Sequence, residues 1–187
     1  MTRSITIGTR GSKLALEQTN RVITALRTKD PSAEFSVEVI TSAGDESPNA
    51  PLESLGVGVF TTSLERALLE RRIDVAVHSL KDLPTETTAG LAVIPVLERE
   101  DARDVLVSRL GKELIDLPAD SRIGTSSPRR VAQLKHGRPD VLFLPIRGNI
   151  ETRLSKVRGP DYDGAILAAA GLRRLGLEAL VTEYLSP

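Results

Sequence analysis

A lysine and an aspartate stand side by side just after a short apolar run, at Lys81 and Asp82. Residues 75–77 are apolar in succession, which is typical of a buried strand in a parallel sheet, and Pro84 cannot extend a strand ladder. Ligands bind at the carboxyl ends of the strands in open α/β sheets. There the lysine would attract an anion and the carboxylate would stabilise a developing positive charge. The alternative is an ion pair at the end of the strand.

Three other junctions between a predicted strand and a predicted helix carry hydroxyl and cationic side chains. The start of a helix offers unpaired N–H groups and a partial positive charge, which favour anions. Arginine adds forked, charge-assisted hydrogen bonds to carboxylate or phosphate. The residues at these junctions are Arg10 and Ser12 at the first, Thr125, Ser126, Ser127, Arg129 and Arg130 at the second, and Arg147 and Arg153 at the third.

Arg129 and Arg130 fall in the first turn of a predicted helix, where the macrodipole disfavours cations. Either a bound anion resolves this conflict or the two side chains lie on a solvated helix face. If the arginines line one site, its ligand carries several negative groups, and Asp82 is the only obvious carboxylate there. Simpler alternatives stay open for the other residues. Arg147 and Arg153 could form a surface pair, and Ser126 and Ser127 could be helix caps only. His78 could be a core histidine with satisfied hydrogen bonds.

Alternating strand and helix patterns position these residues. Ser12 is the predicted N-cap of the first helix, Ser127 caps the helix that starts at Pro128, and Thr62 with Glu65 reads as a capping box. The patterns predict strands over residues 4–9, 35–40, 75–77, 91–96, 105–107, 122–125, 141–144 and 164–170, helices over 12–29, 62–72, 128–136, 149–157 and 177–185, and a long loop over 41–59.

The composition excludes several classes of protein. Among the 187 residues, 25 basic and 25 acidic side chains cancel, so no global field attracts nucleic acid, and 3% aromatic residues argue against surfaces that stack bases. The absence of cysteine excludes disulfides and thiolate chemistry, and with only two histidines we expect no metal site. The sequence has neither a signal-peptide core nor an apolar run of membrane-spanning length, so we expect a cytoplasmic protein without membrane contact.

A charge-dense segment separates two stretches of alternating strands and helices. We therefore predict an α/β fold of two lobes with mostly parallel sheets and a ligand cleft between them. Domain 1 covers residues 1–98, a crossover hinge covers 99–104, and domain 2 covers 105–187.

Six segments, in this order, resemble the porphobilinogen deaminase (hydroxymethylbilane synthase) family and span essentially the whole chain. They are IGTRGSKLALEQ at 7–18, DVAVHSLKDLPT at 74–85, EREDARD at 98–104, GTSSPRR at 124–130, IRGNIETRLSK at 146–156 and ILAAAGLRRLGL at 166–177. The family fold implies lobes that resemble periplasmic binding proteins.

The resemblance also implies an activity. Family members join four porphobilinogen molecules head to tail, release ammonia each time, and hydrolyse off hydroxymethylbilane for tetrapyrrole synthesis. The growing chain carries acetates and propionates, and loss of ammonia leaves a cationic pyrrole that a carboxylate stabilises. The expected partner is thus porphobilinogen, and the expected state is a monomer. Carried onto this sequence, Asp82 is the catalytic carboxylate, and the substrate and cofactor site comprises Arg10, Ser12, Gln18, Ser79, Lys81, Thr125, Ser126, Ser127, Arg129, Arg130, Arg147 and Arg153.

The sequence departs from the family pattern in three places. The family primes itself with a dipyrromethane cofactor, linked through a thioether to a cysteine of a third domain, and neither that cysteine nor that domain is found in these residues. The glycine-rich strand that returns to complete domain 1 is missing too, which predicts an unpaired sheet edge. The segment LGVGVF at 55–60 lacks the lysines that the family often has there.

These departures leave competing hypotheses. One is the N-terminal two-domain part of a deaminase, which we expect not to turn over alone because it cannot be primed covalently. Another is a truncated relative that only binds anionic pyrroles or polyacids. A third, which does not depend on the resemblance, is a solute-binding or effector-sensing module with two lobes. Turnover and binding of porphobilinogen discriminate between these hypotheses.

Overall fold

The structure is a computed structural model that describes residues 4–42 and 61–186. The chain divides into two compact units, Met1–Glu98 and Arg99–Pro187. The elements of unit 1 are β1 (Ser4–Thr9), α1 (Lys13–Lys29), β2 (Glu34–Val39), α2 (Thr62–Leu69) and β3 (Val75–Ala76). Those of unit 2 are β4 (Asp104–Ser108), β5 (Arg122–Gly124), α3 (Pro128–Gly137), β6 (Leu142–Leu144), α4 (Ile150–Arg158), β7 (Gly164–Ala168), α5 (Ala169–Arg174) and β8 (Glu183–Tyr184).

The sheet of unit 1 is parallel, with the strand order β2-β1-β3 among the described residues. Ile7 of β1 is fully buried and pairs in register with Val37 on one side and Val75 on the other. The core beside it includes Leu64 of α2 and Ile73 just before β3. Because β3 follows the central strand in register, the residues after Ala76 emerge at the carboxyl edge of the sheet, as the sequence predicted.

Two predictions for unit 1 are wrong. Residues 91–96 form no strand, and Val93 and Ile94 are exposed, since an apolar run becomes a strand only where a neighbouring backbone is available to pair with it. The capping box at Thr62 is wrong because Thr62 is the first helical residue of α2 and the N-cap position is occupied by Thr61. Most of the predicted loop over 41–59 lies outside the described residues.

The sheet of unit 2 is mixed, with the strand order β6-β5-β7-β4-β8. β5 pairs in parallel with β6 and β7, whereas β4 pairs antiparallel with β7 and β8. Val105, Ile123, Ala165 and Ile166 in the central strands are fully buried, which fits their nearly continuous apolar sequences. The carboxyl ends of β5 and β6 therefore lie beside each other and lead into α3 and the loop before α4.

The predicted final helix over 177–185 is wrong. α5 ends at Arg174, a 3-10 turn covers Glu178–Leu180, and β8 adds an edge strand to β4. Thr182 N donates to Leu106 O at 2.9 Å, and Leu185 N donates to Asp104 O at 2.9 Å. Pairing with β4 thus takes the backbone groups that a helix would have used internally. The strand predicted over 164–170 ends early for a related reason, because α5 begins at Ala169.

The α/β class and the mostly parallel sheets are confirmed. The hinge at 99–104 and the missing return strand of domain 1 stay predictions. Within residues 4–42 and 61–186, no helix is both long enough and apolar enough to cross a bilayer.

Candidate functional site

In unit 1, the predicted catalytic Asp82 and the predicted binding residue Lys81 follow β3 in a short 3-10 turn, Leu80–Asp82. Asp82 N donates to Ser79 O at 2.9 Å, which closes the turn. The side chains of Lys81 and Asp82 are both exposed. A strand that ends in a closed turn therefore presents an ammonium and a carboxylate to solvent at the carboxyl edge of the sheet.

The first strand-to-helix junction is joined to this turn by a side-chain pair. Gln18 Nε2 of α1 donates to Ser79 Oγ at 2.8 Å, and Ser79 Oγ lies 3.2 Å from Gln18 Oε1. Ser12 is the N-cap of α1, as predicted, and its hydroxyl accepts from Ala15 N at 3.2 Å. The structure thus brings Gln18 and Ser79 together and gives Ser12 a capping role, while Arg10 lies half-buried just before the helix.

His78 lies between the strand and the turn and is half-buried. Burial lowers the pKa of His78, the nearby charge of Arg10 lowers it further, and the carboxylates of Asp82 and Glu65 partly oppose the shift. Its Nε2 atom is buried and has no hydrogen-bond partner in the described part of the chain. The imidazole is therefore held neutral near the predicted catalytic carboxylate.

In unit 2, the three hydroxyls after β5 are used within the protein. Thr125 is buried, and its hydroxyl accepts from Ser127 N at 3.3 Å. Ser126 bonds to both backbone groups of Ile146, and Ser127 caps α3 by accepting from Arg130 N at 3.5 Å. Ser127 is therefore a helix cap, and Ser126 ties the loop after β5 to the loop after β6.

Three guanidinium groups gather beside these loops. Burial lowers the pKa of Arg153, and the charges of Arg130 and Arg147 lower it further, which shows that the three cations lie close together. Arg153 Nε donates to Gly148 O at 2.8 Å. Arg130 Nε and Arg147 Nη1 are buried without a hydrogen-bond partner among residues 4–42 and 61–186. Buried donors of this kind are rarely left unpaired, so they mark a place where an anion would bind.

Backbone geometry at Gly148 sets the approach to this cluster. Its φ of +109° lies in the left-handed region, and a Cβ atom there would come within 2.6 Å of the Thr152 side chain. Asn149 follows as the N-cap of α4 and accepts from Thr152 N at 2.8 Å. A glycine is thus required to turn the chain between Arg147 and the helix that carries Arg153.

In unit 2 a carboxylate contacts the arginines of α3, and sequence reasoning missed it. Asp104, the first residue of β4, accepts from Arg129 Nη2 and from Arg130 Nη2, each at 2.6 Å. Burial would raise the pKa of Asp104, but the hydrogen bonds from Arg130 and Arg129 outweigh burial and hold the pKa below its usual value. Asp82 was predicted from the sequence as the only obvious carboxylate of a site lined by the arginines, and Asp104 beside the arginines of unit 2 was not anticipated. Asp104 is an acid directly before an apolar strand, a signal that the charged run at 98–104 concealed.

A shallow depression of about 370 Å³ borders the hydroxyl loop of unit 2. Its other walls are apolar and come from Val131 and Ala132 of α3 and from Phe143 and Pro145 around β6. The structure therefore places an apolar surface beside the first turn of α3. Unit 1 holds Arg10, Ser12, Gln18, Ser79, Lys81 and Asp82 at one sheet edge, and unit 2 holds the other predicted site residues at its own; their roles toward a ligand stay predictions.

Comparison with known proteins identifies the family. Residues 5–187 match the family model described as porphobilinogen deaminase, dipyromethane cofactor binding domain. The chain is 48% identical to the porphobilinogen deaminase of Syntrophomonas wolfei over 98% of its own length and 60% of that protein. The corresponding figures for the porphobilinogen deaminase of Shouchella clausii are 50%, 98% and 60%. The chain thus spans about 60% of the length of these curated relatives.

Solved structures offer only a distant likeness. The methionine binding protein MetQ is 12% identical, with a TM-score of 0.47, over 98% of this chain and 80% of that one. The family assignment therefore depends on sequence, through the model that matches residues 5–187 and through relatives at 48–50% identity. The chain belongs to the porphobilinogen deaminase family.

Proposed function

We propose that this chain supplies the substrate-binding and catalytic residues of a hydroxymethylbilane synthase. The reaction joins four porphobilinogen molecules head to tail with loss of ammonia, in the synthesis of tetrapyrroles. Relatives at 48–50% identity are named porphobilinogen deaminase, which supports the assignment. Because the chain spans about 60% of their length, the activity of the whole relatives is proposed for it rather than transferred outright.

The observation that carries the proposal is the set of unpaired guanidinium donors in unit 2. Arg130 Nε and Arg147 Nη1 are buried and unpartnered beside the Arg153 cation, as far as the structure describes the chain. Each porphobilinogen brings an acetate and a propionate, and a carboxylate pairs with the planar fork of arginine in two parallel hydrogen bonds. A ligand with several carboxylates would therefore satisfy the donors and offset the repulsion among the cations.

Asp82 is the proposed catalytic carboxylate. When ammonia leaves porphobilinogen, positive charge develops on the pyrrole, and a nearby carboxylate stabilises that charge. Asp82 suits this role because it is exposed at the carboxyl edge of the unit 1 sheet and its turn is closed by Ser79. Lys81 beside it would attract a substrate carboxylate. Gln18, through its hydrogen bonds with Ser79, holds the turn against α1.

The residues of this chain also fit a dipyrromethane, which the family uses as a primer. Two pyrroles with carboxylate side chains match the same buried donors of Arg130 and Arg147 and the nearby Arg153. Bound dipyrromethane supplies the pyrrole to which the first substrate is joined. The chain has no cysteine, so it offers no thiol for the thioether. We therefore propose that these 187 residues bind substrate but do not turn over by themselves.

A chimera tests the proposal. Residues 5–187 would replace the matching 60% of the Syntrophomonas wolfei enzyme, whose remaining part is kept. We expect this chimera to release ammonia and to form hydroxymethylbilane, measured as uroporphyrin after oxidation, and we expect Asp82→Asn to abolish turnover while porphobilinogen still binds. Asp161→Asn, an exposed carboxylate in unit 2, is the matched control. A folded chimera without turnover would contradict the proposal.

Binding without catalysis is the second candidate. The absence of cysteine favours it, because a chain that cannot be primed can still hold an anionic pyrrole or polyacid at the arginine cluster. Calorimetry of the 187-residue chain with porphobilinogen measures whether the chain binds this substrate. Binding together with an inactive chimera would establish this candidate, whereas product formation by the unmodified chain would overturn our proposal that it does not turn over alone.

A further inference from the structure

Adjacent arginines in α3 share one carboxylate but differ in how firmly they are held. The Arg130 side chain is only 13% exposed and has two fixed acceptors, Asp104 Oδ1 at 2.6 Å and Ile166 O at 3.0 Å. The Arg129 side chain is 61% exposed and bonds to Asp104 Oδ2 at 2.6 Å and to Gln133 Oε1 at 2.7 Å, one turn further along the helix. Arg130 is thus enclosed, and Arg129 stands at the surface.

The two ion pairs should therefore differ in how easily they open. An ion pair with one solvent-exposed partner, as Arg129 is here, contributes little to stability. Breaking a buried pair by removing one partner is far more costly, because it leaves an uncompensated charge. A competing anion can consequently take Arg129 from Asp104 at small cost, whereas Arg130 and Asp104 stay together.

The position of Asp104 makes it a rival of any carboxylate ligand. Its side chain is 14% exposed, and its backbone is fixed by pairing of β4 with β7 on one side and by the hydrogen bond from Leu185 N on the other. A ligand carboxylate that pairs with the exposed Arg129 side chain would compete with Asp104 for its Nη2 donor. Its approach to the Arg130, Arg147 and Arg153 cluster would also be opposed by the charge of Asp104.

We propose that Asp104 is a resident carboxylate that occupies the place of a ligand carboxylate at Arg129 and is displaced from that one arginine when the ligand binds. Arg130 remains paired with Asp104 throughout. This inference rests on the proposed function only in taking the ligand to be a carboxylate, and it gives Asp104 an effect on affinity that is opposite to its effect on stability.

Asp104→Asn separates these effects, because the amide keeps the shape and one acceptor for Arg130 but releases Arg129. We expect the variant of the 187-residue chain to unfold at lower denaturant concentration and yet to bind citrate and porphobilinogen about threefold more tightly by calorimetry at low salt, within the range that an exposed pair contributes. A merely structural role for Asp104 would weaken binding. Unchanged or weaker citrate binding by the folded variant would overturn the inference.

Two further arms complete the test. In a chain that already carries Arg129→Gln, Asp104→Asn should increase the affinity for citrate less than it does in the wild-type chain. An equal increase in both chains would contradict displacement at Arg129. If Asp104→Asn does not fold, carbon-13 NMR of the wild-type chain replaces it. The Asp104 carboxyl signal should then shift together with the Arg129 Cζ signal as citrate is added, and an unmoved Asp104 signal at saturation would overturn the inference.

A comparison of citrate binding with porphobilinogen binding separates a failure of this inference from a failure of the proposed function. If citrate binding tightens in Asp104→Asn while porphobilinogen does not bind at all, the inference stands and the proposed function fails. If porphobilinogen binds the wild-type chain but Asp104→Asn tightens neither ligand, the inference fails and the proposed function stands.

Discussion

Ser126 and Ile146 exchange two hydrogen bonds across neighbouring loops: Ser126 Oγ donates to Ile146 O at 2.9 Å and accepts from Ile146 N at 3.1 Å. Ile146 is almost fully buried and directly precedes Arg147. This hydroxyl therefore links the loop that starts α3 to the loop that carries Arg147, beyond the point where β5 and β6 pair. Ser126 holds the arginine cluster in place through the backbone.

Ser126→Ala should therefore weaken ligand binding without removing a charge. Both Ile146 backbone groups lose their side-chain partner, and we expect a loss of about 2 kcal/mol in the free energy of unfolding. We also expect weaker porphobilinogen binding, measured by calorimetry, because Arg147 is no longer fixed. Ser155→Ala, at an exposed position of α4 outside the predicted site, is the matched control and should change neither stability nor affinity. Equal affinities for Ser126→Ala and the wild-type chain would contradict this role.

Arg147→Gln should stabilise the ligand-free chain. The substitution removes a charge from beside Arg130 and Arg153 together with a buried donor that lacks a partner in the described residues. An unsatisfied buried group costs about 1–3 kcal/mol, so we expect the free energy of unfolding to rise by about 1 kcal/mol in urea at low salt. Arg158→Gln, at the exposed end of α4, should change it little. A lower stability of Arg147→Gln would show that the guanidinium is satisfied in solution.

His78 predicts a dependence of stability on pH near neutrality. Its pKa in the folded chain lies below the ordinary histidine value of 6.5, chiefly because of burial. The unfolded chain therefore binds more protons between the folded pKa and 6.5, and stability falls as the pH is lowered through that window. His78→Gln should flatten the dependence of the urea midpoint on pH between about 7.5 and 5.5. His136→Gln, at an exposed position, serves as the control, and an equal flattening by both variants would rule out His78 as the cause.

Asp163 predicts a second dependence on pH, in the acid range. This buried carboxylate accepts from Arg122 N at 2.8 Å and pairs with Arg109, and these contacts lower its pKa below 3.8 despite burial. Its contribution is present above pH 3.8 and is lost as the pH falls through the folded pKa. Asp163→Asn should cost about 2 kcal/mol at pH 7 and less in acid, as measured by urea unfolding. Asp161→Asn, which is exposed nearby, should cost little at either pH, and a pH-independent loss in Asp163→Asn would contradict the assignment.

Local chemistry made much of the fold predictable from the sequence. Ser12 and Ser127 cap their helices as predicted, because an N-cap depends on the residue itself and on the next three positions. The strands of both sheets up to residue 168 were predicted for a similar reason, since the period and the apolar content of a segment are local properties. The exception is residues 91–96, where a strand was predicted and none forms. The grouping of site residues at carboxyl strand ends followed from the parallel order within each unit.

Pairing between distant residues could not be predicted in this way. Asp104 lies 25 residues before Arg129, and nothing in the run at 98–104 indicates which of its acids contacts an arginine. β8 is a strand because β4 offers an edge to it, while residues 91–96, which are more apolar than β8, pair with no strand among the described residues. In each case the outcome depends on which backbone or charge is available in the folded chain.

The exposed apolar segment at 91–97 has a consequence for the behaviour of the protein at high concentration. Ile94 is 76% exposed, and Val93 and Val96 are also open to water, so the segment has the composition of a self-associating β-stretch. Pro95 in its middle cannot donate to a ladder between chains, and the charges that begin at Glu98 flank it as gatekeepers. Pro95 therefore limits self-association of this exposed segment together with the flanking charges, and Pro95→Val should promote fibril formation at high protein concentration.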